Sequence, residues 1–208
     1  KYDVVNLHAG GVELFVKDNA YLRYSTVENW SKNMLNLNTK RATVGKNGEI
    51  EWVSGTFGSQ ITMLYPSSIL AGEGAKSKFT SVSFSGEGQE LDTGTKVFHA
   101  ASNTSSTIES KSISKDGGAA IYRSSVVVAP NAKNCKSSAS CESLMLDSES
   151  RSDTIPVIDI RNKHVDLGHE AKIGRISDKV IFYLMTRGIP EEEAKAMVEE
   201  AKSEQMQQ

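Results

Sequence analysis

With 208 residues and a mass of 22.6 kDa, the chain suits one large domain, or one domain with a small appendage, and can bury a core without disulfide or metal staples. Hydrophobic residues make up 38% and aromatics 7%, against 27 serines and 16 glycines, which argues against a helical bundle. Lys plus Arg (24) against Asp plus Glu (26) leaves a net charge of −2, so no global field draws the chain to nucleic acid or to an anionic membrane. The longest apolar runs, such as Ile155 to Ile160 with its internal Pro156 and Asp159, fall far short of the roughly 18 residues of a membrane span. The start at Lys1 shows no signal-peptide pattern, and the missing initiator methionine suggests a processed or excised piece. Cys135 and Cys141 cannot frame a domain of this size with disulfides, so reduced thiols in an intracellular compartment are expected.

From Tyr2 to about Ile176 the pattern is one of short alternating segments: Ile50 with Trp52, Ile61 with Met63 and Tyr65, Val82 with Phe84, and Val97 with His99 and Ala101. Further along come Tyr122 to Val128, Leu144 with Leu146, Ile155 with Val157, and Val165, Leu167, His169, Ala171 and Ile173. Turn signals separate them at Asn47-Gly48, Gly72-Glu73-Gly74, Gly86-Glu87-Gly88, Asp92-Thr93-Gly94, Gly117-Gly118 and Asn131. Many short strands with small side chains fit an antiparallel sandwich or a solenoid of stacked turns. The solenoid is favoured because a narrow lumen takes small and β-branched residues, and because Ser102 to Ser114 reads like side chains stacked in ladders. No strict repeat length is visible.

After Ile176 the period changes. Ser177 with Asp178 predicts an N-terminal cap, Val180, Ile181, Leu184 and Met185 an apolar helical stripe, and Gly188 a stop. Pro190 followed by Glu191, Glu192 and Glu193 opens a second helix with a thin apolar face of Ala194, Met197, Val198 and Ala201. The expected organisation is a β-body over 1–176 and a helical segment over 177–208, the latter a docking element or a frayed end.

Few residues carry chemistry. Walker A, CxxC, HExxH and nucleophile-elbow patterns are absent, and the acids Glu109, Asp147, Asp153 and Asp159 sit singly rather than in glycosidase-like pairs. His169 shares parity with the apolar residues of its strand and Glu170 does not, so spacing reads them as a half-buried histidine and an exposed carboxylate. Gly168 offers a place for a bulge that would turn both to a common surface. Cys141 by itself reads as a small core residue, Cys135 as a turn residue, His99 as buried and hydrogen-bonded, and His8 and His164 as edge residues. A thiolate, an imidazole and a carboxylate, if they met, would form a mixed ligand set for iron or an iron-sulfur cluster.

The segments Tyr24-Ser25-Thr26-Val27-Glu28-Asn29-Trp30, Tyr65-Pro66-Ser67-Ser68-Ile69-Leu70, Asp92 to His99, Asn103-Thr104-Ser105-Ser106, Ser110 to Ser114 and Tyr122-Arg123 resemble the core of the SufB/SufD family. So do Arg151 to Pro156, His169-Glu170-Ala171 and Phe182 to Gly188. They run in the family's order from about residue 20 to about 200, and the likeness is closer to SufB. The resemblance implies a mainly β fold, a right-handed parallel β-helix with a short C-terminal helical pair. It implies a non-enzymatic scaffold of the SUF system on which a transient iron-sulfur cluster is assembled and transferred. Implied partners are the ABC-type ATPase SufC at the helical end, SufD or a second SufB through the β-helix, and sulfur donor proteins; no nucleic acid and no membrane are expected. The implied location is cytoplasmic, or plastidic in a plant or alga. By residue-level correspondence Cys141 is implied as thiolate ligand or sulfur acceptor, with His169 and Glu170 as iron ligands near a subunit interface. Gly168 stands where SufB often has a glutamate. A SufD-like structural partner without its own cluster and a carbohydrate-active β-helix are the alternatives.

Overall fold

Alternating side chains put every second residue of an extended segment on one face, and here those segments stack in register. The computed structural model describes residues 6–175 and 178–197. Its strands are β1 (Asn6–Val16), β2 (Tyr21–Trp30), β3 (Met34–Val44), β4 (Glu49–Gly58), β5 (Ile61–Leu64), β6 (Ser67–Leu70), β7 (Lys76–Ser85), β8 (Glu90–His99), β9 (Ser105–Ser114), β10 (Ala119–Val128), β11 (Cys135–Met145), β12 (Arg151–Ile160) and β13 (Val165–Arg175). One sheet runs β1-β3-β5-β8-β10-β12, with β6 lying between β3 and β8 beyond the end of β5; the other runs β13-β11-β9-β7-β4-β2. Every pairing is parallel. The chain passes from one sheet to the other at each corner, so it coils as a parallel β-solenoid whose last turn is β12 followed by β13. This is the expected fold class.

The turns are unequal. Leu35 pairs with Ile61, 26 positions on, whereas Ala119 pairs with Arg151, 32 positions on, which is why no repeat length shows in the sequence. Corners are kept in line by left-handed residues: Asn19, Asn47, Asn103 and Asn134 have φ of 56°, 50°, 60° and 56°, and Gly74 has 74°. Asparagine tolerates this conformation and its amide bridges to the next turn, Asn47 Nδ2 to Asn19 Oδ1 at 3.3 Å and Asn134 Nδ2 to Asn103 Oδ1 at 3.2 Å.

Inside, Val44, Ile50, Trp52, Leu70, Phe79, Val97, Ile108 and Val128 are buried between the sheets. Trp52 stacks on Phe79 at 5.8 Å and meets Tyr24 edge-on at 5.5 Å. Serine ladders fill the rest: Ser85 with Ser114 at 2.9 Å, Ser106 with Ser137 at 2.8 Å and Ser112 with Ser143 at 2.8 Å. The ladder reading of Ser102 to Ser114 holds over β9.

Two expectations need correction. Asp92-Thr93-Gly94 is not a turn but the middle of β8; Gly94 is there because a Cβ would lie 2.2 Å from the Arg123 carbonyl oxygen on β10. Of the helical stripe, Ile181 is buried and Leu184 half-buried, whereas Val180 and Met185 are exposed. Helix α1 (Asp178–Thr186) lays Ile181 and Leu184 on Leu144 and Ile113, outward-facing residues of β11 and β9. Gly188, with φ of 90°, ends the passage, and helical turns at 191–197 place Ala194 in the same cluster. Ser177, Val198 and Ala201 lie outside the described residues.

Because the Gly94 contact is with backbone, Gly94→Ala is expected to cost about 1–3 kcal/mol, read as a lower urea midpoint at unchanged slope.

Candidate functional site

The strand pairing decides which of the three candidate donors share a face. Ala139 pairs with His169, Ser140 with Glu170 and Cys141 with Ala171, in unbroken register from Cys135 to Met145. Gly168 therefore hosts no bulge. Cys141 and His169 both point into the lumen, on adjacent strands and in adjacent files. Glu170 points outward, exposed, with Lys172 Nζ at 3.1 Å from its carboxylate. Among the described residues no three His, Cys, Asp or Glu side chains converge as a metal site.

Cys141 is 1% exposed, and burial pushes its thiol up to about 11. Across the lumen lies Tyr122, whose hydroxyl shares a 2.8 Å hydrogen bond with Thr95 Oγ1. Burial raises the Tyr122 phenol, and the nearby Cys141 raises it further. His169 is half-buried against Ser124, Val126, Ser137, Ala139 and Ile158, and its Nε2 is buried with no hydrogen-bond partner among the described residues. Nothing stacks on the far side of β12 or β13 among the described residues, so the lumen opens at this last turn. Ile158 and Ile160 of β12 and Ile173 of β13 are 48%, 44% and 50% exposed, and this residual exposure marks the opening.

Cys135 does not join this site. It is fully buried at a corner, its thiol 3.3 Å from Thr104 Oγ1 and 3.6 Å from the carbonyl oxygens of Ala101 and Ala132. Six positions along one strand separate the two thiols by about 20 Å, far beyond disulfide reach. His99 is buried as expected, with Nδ1 2.7 Å from Thr104 Oγ1 and Nε2 3.0 Å from Ser106 Oγ. His8 is more than an edge residue: its Nδ1 lies 3.1 Å from Asn36 Oδ1 and its ring 4.7 Å from that of Trp30. His164 lies exposed at the β12–β13 corner.

A second polar group, which spacing did not reveal, lies in the first two turns. Lys40 Nζ meets Glu28 Oε1 at 2.8 Å, with side chains only 6% and 9% exposed. Glu28 also accepts from Trp30 Nε1 at 2.8 Å and Asn36 Nδ2 at 3.3 Å. Burial alone would raise the Glu28 carboxyl; donation from Lys40, Trp30 and Asn36 outweighs it and holds the group below its usual range. The sequence signal is a pair of polar residues, Glu28 and Lys40, at inward parity in β2 and β3.

Two measurements follow from these environments. Both thiols are expected to resist iodoacetamide at about pH 8 in the folded chain and to react after unfolding in urea, since both are buried and burial holds the proton on Cys141. Burial holds the His99 imidazole at about 4 when folded, against 6.5 when free. Stability is thus full above about pH 6.5 and declines as pH falls toward 4, by on the order of 3 kcal/mol. In urea melts across that range, His99→Gln flattens this acid-side slope, whatever it does to absolute stability.

A family model described as SUF system FeS cluster assembly, SufBD core domain, matches residues 2–202. The chain belongs to this family. Proteins named iron-sulfur cluster assembly SufBD family protein, from Staphylococcus saprophyticus, Staphylococcus epidermidis and Staphylococcus aureus strain USA300, are each 50% identical to it over 197 residues. Those matches cover 95% of this chain and 42% of each relative, so the chain spans less than half the length of these relatives. Among the described residues no helix is long and apolar enough to cross a membrane.

Proposed function

We propose that the chain carries the cluster-building part of a SufB-like scaffold, non-enzymatic and cytoplasmic, on which iron and sulfur brought by other proteins are assembled and passed on. The observation that carries this reading is that Cys141 and His169 occupy neighbouring lumenal files, His169 in the open last turn and Cys141 in the layer directly beneath it. The iron-sulfur cluster is cargo here, and these two residues supply its soft sulfur and its imidazole donor. Glu170, on the outer face of the same strand, is within reach of such a cargo only when a second subunit closes on the last turn or that turn rearranges. Exposed Ile155, Val157, Ile158 and Ile160 along the edge strand β12 support pairing there with SufD or a second SufB. Phe182 and Tyr183, 66% and 55% exposed on α1, support docking of the SufC ATPase at the helical end. ATP-driven movement of that partner would then be the source of the rearrangement that bares Cys141.

A SufD-like structural role, without a cluster, is the reading that the deep burial of Cys141 favours. Anaerobic reconstitution with ferrous iron and sulfide in the presence of the partners separates the two. For a scaffold, Cys141→Ser loses visible charge-transfer absorbance by more than the roughly 10–100-fold that a merely supporting residue costs. Equal absorbance for the variant and the parent chain assigns the structural role.

A further inference from the structure

Six buried side-chain oxygen or nitrogen atoms have no hydrogen-bond partner among the described residues, and three of them belong to the last turn: Ser152 Oγ, Thr154 Oγ1 and His169 Nε2. Buried polar groups are normally paired, so a concentration of orphans in one turn marks a place where an absent group completes the bonding. Thr154 lies on β12 in register with Tyr122, and Ala171 on β13 in register with Cys141. Since Tyr122 and Cys141 face each other across the lumen, Thr154 and Ala171 form the next layer, one strand spacing of about 4.8 Å further out. Ala171 has the smallest side chain in the inward file Val165, Leu167, His169, Ala171 and Ile173. A sulfide held between Cys141 and the opening therefore has a methyl group on one side and the Thr154 hydroxyl on the other, with His169 beside it.

We infer that Thr154 is a positioning residue for inorganic sulfide held beside Cys141, its orphaned hydroxyl donating a hydrogen bond to that sulfide at the open end of the lumen. This rests on the scaffold reading above and adds a residue to it. A hydroxyl so placed orients the sulfur between Cys141 and His169 without binding iron itself, a task that no carboxylate performs at this point because Glu170 faces outward.

The test uses the intact chain with its partners, reconstituted anaerobically with ferrous iron and sulfide, and three variants. Thr154→Val keeps the shape and removes the hydroxyl; Thr154→Ala does so at smaller volume; Thr154→Ser keeps the hydroxyl. The expected result is a fall in cluster loading of about tenfold or more for Val and Ala, with a changed visible circular dichroism spectrum, and recovery of both for Ser. Melting of the unloaded chain supplies the control: removing an unpaired buried hydroxyl leaves Thr154→Val as stable as the parent or more so, which a structural role for Thr154 would not allow. If Cys141→Ser abolishes loading while Thr154→Val loads as the parent does, the assignment of Thr154 falls and the scaffold stands. If Cys141→Ser also loads as the parent does, the scaffold reading falls with it.

Discussion

Parallel, in-register stacking is the constraint on which the remainder of the molecule rests. Each inward residue sits directly over its counterpart in the turn before, so the lumen is a set of axial files and not a shuffled core. One file runs Tyr24, Trp52, Phe79, Ile108, Ala139, His169; the next runs Thr26, Ser54, Ser81, Ser110, Cys141, Ala171; a third runs Glu28, Thr56, Ser83, Ser112, Ser143, Ile173. Aromatic rings in contact fill the first file at its beginning, and Ala139 lies beneath His169 at its end. A slip of one residue in any strand would send every inward group outward. Cys141 would then leave the lumen and Glu170 would enter it.

The same stacking makes polar residues in the lumen stringent. An unpaired hydroxyl or charge between two sheets has no water to turn to, so each must find a partner along its file or across the gap. The first turns meet that demand: Glu28, Lys40, Trp30, Asn36, Asn38 and His8 bond to one another in a closed group. Breaking such a pair by removing one partner strands the other charge, so the network specifies register in this part of the solenoid more than it adds stability. The serine ladders meet most of it in the middle. Ser59 Oγ, Thr62 Oγ1 and Ser81 Oγ are left unpaired across the earlier turns, whereas three such atoms fall together in the last turn, and that concentration is what sets the candidate site apart from ordinary core.

Strand alternation made the β-body legible, and the change of period after Ile176 made the helical pair legible, because both follow from side-chain direction along one element. Parity likewise separated His169 from Glu170, and the regular strand kept that separation. What spacing could not give was anything depending on the third dimension of the coil. Turn lengths vary between 26 and 32 residues, so which residues stack could not be counted off. Asp92-Thr93-Gly94 carries turn-forming residues, yet tertiary packing put them in a strand, where Asp92 receives two 2.8 Å hydrogen bonds from Arg123 and Gly94 makes room for the Arg123 backbone. Thr154 is one threonine among many until its register over Tyr122 is known. The family likeness reached Cys141 and His169 by motif, and only the pairing showed that they share a face.

Burial gives the Cys141 thiol two different aptitudes. Its proton is held to about pH 11, which makes it a poor nucleophile at neutral pH, since attack on a sulfur donor requires the thiolate. A bound cation reverses that balance, because a metal removes the proton from a thiol that coordinates it. In the proposed role, then, iron can recruit Cys141 as a ligand where it stands, whereas transfer of sulfur onto it calls first for water or a polar partner to reach the site. β12 and β13 are each paired on one side only among the described strands, so they open at lower cost than the strands beneath them. In that proposed role the order of events at the thiol would be set by the state of the last turn: closed, a latent ligand for iron; open, an acceptor of sulfur from a donor protein.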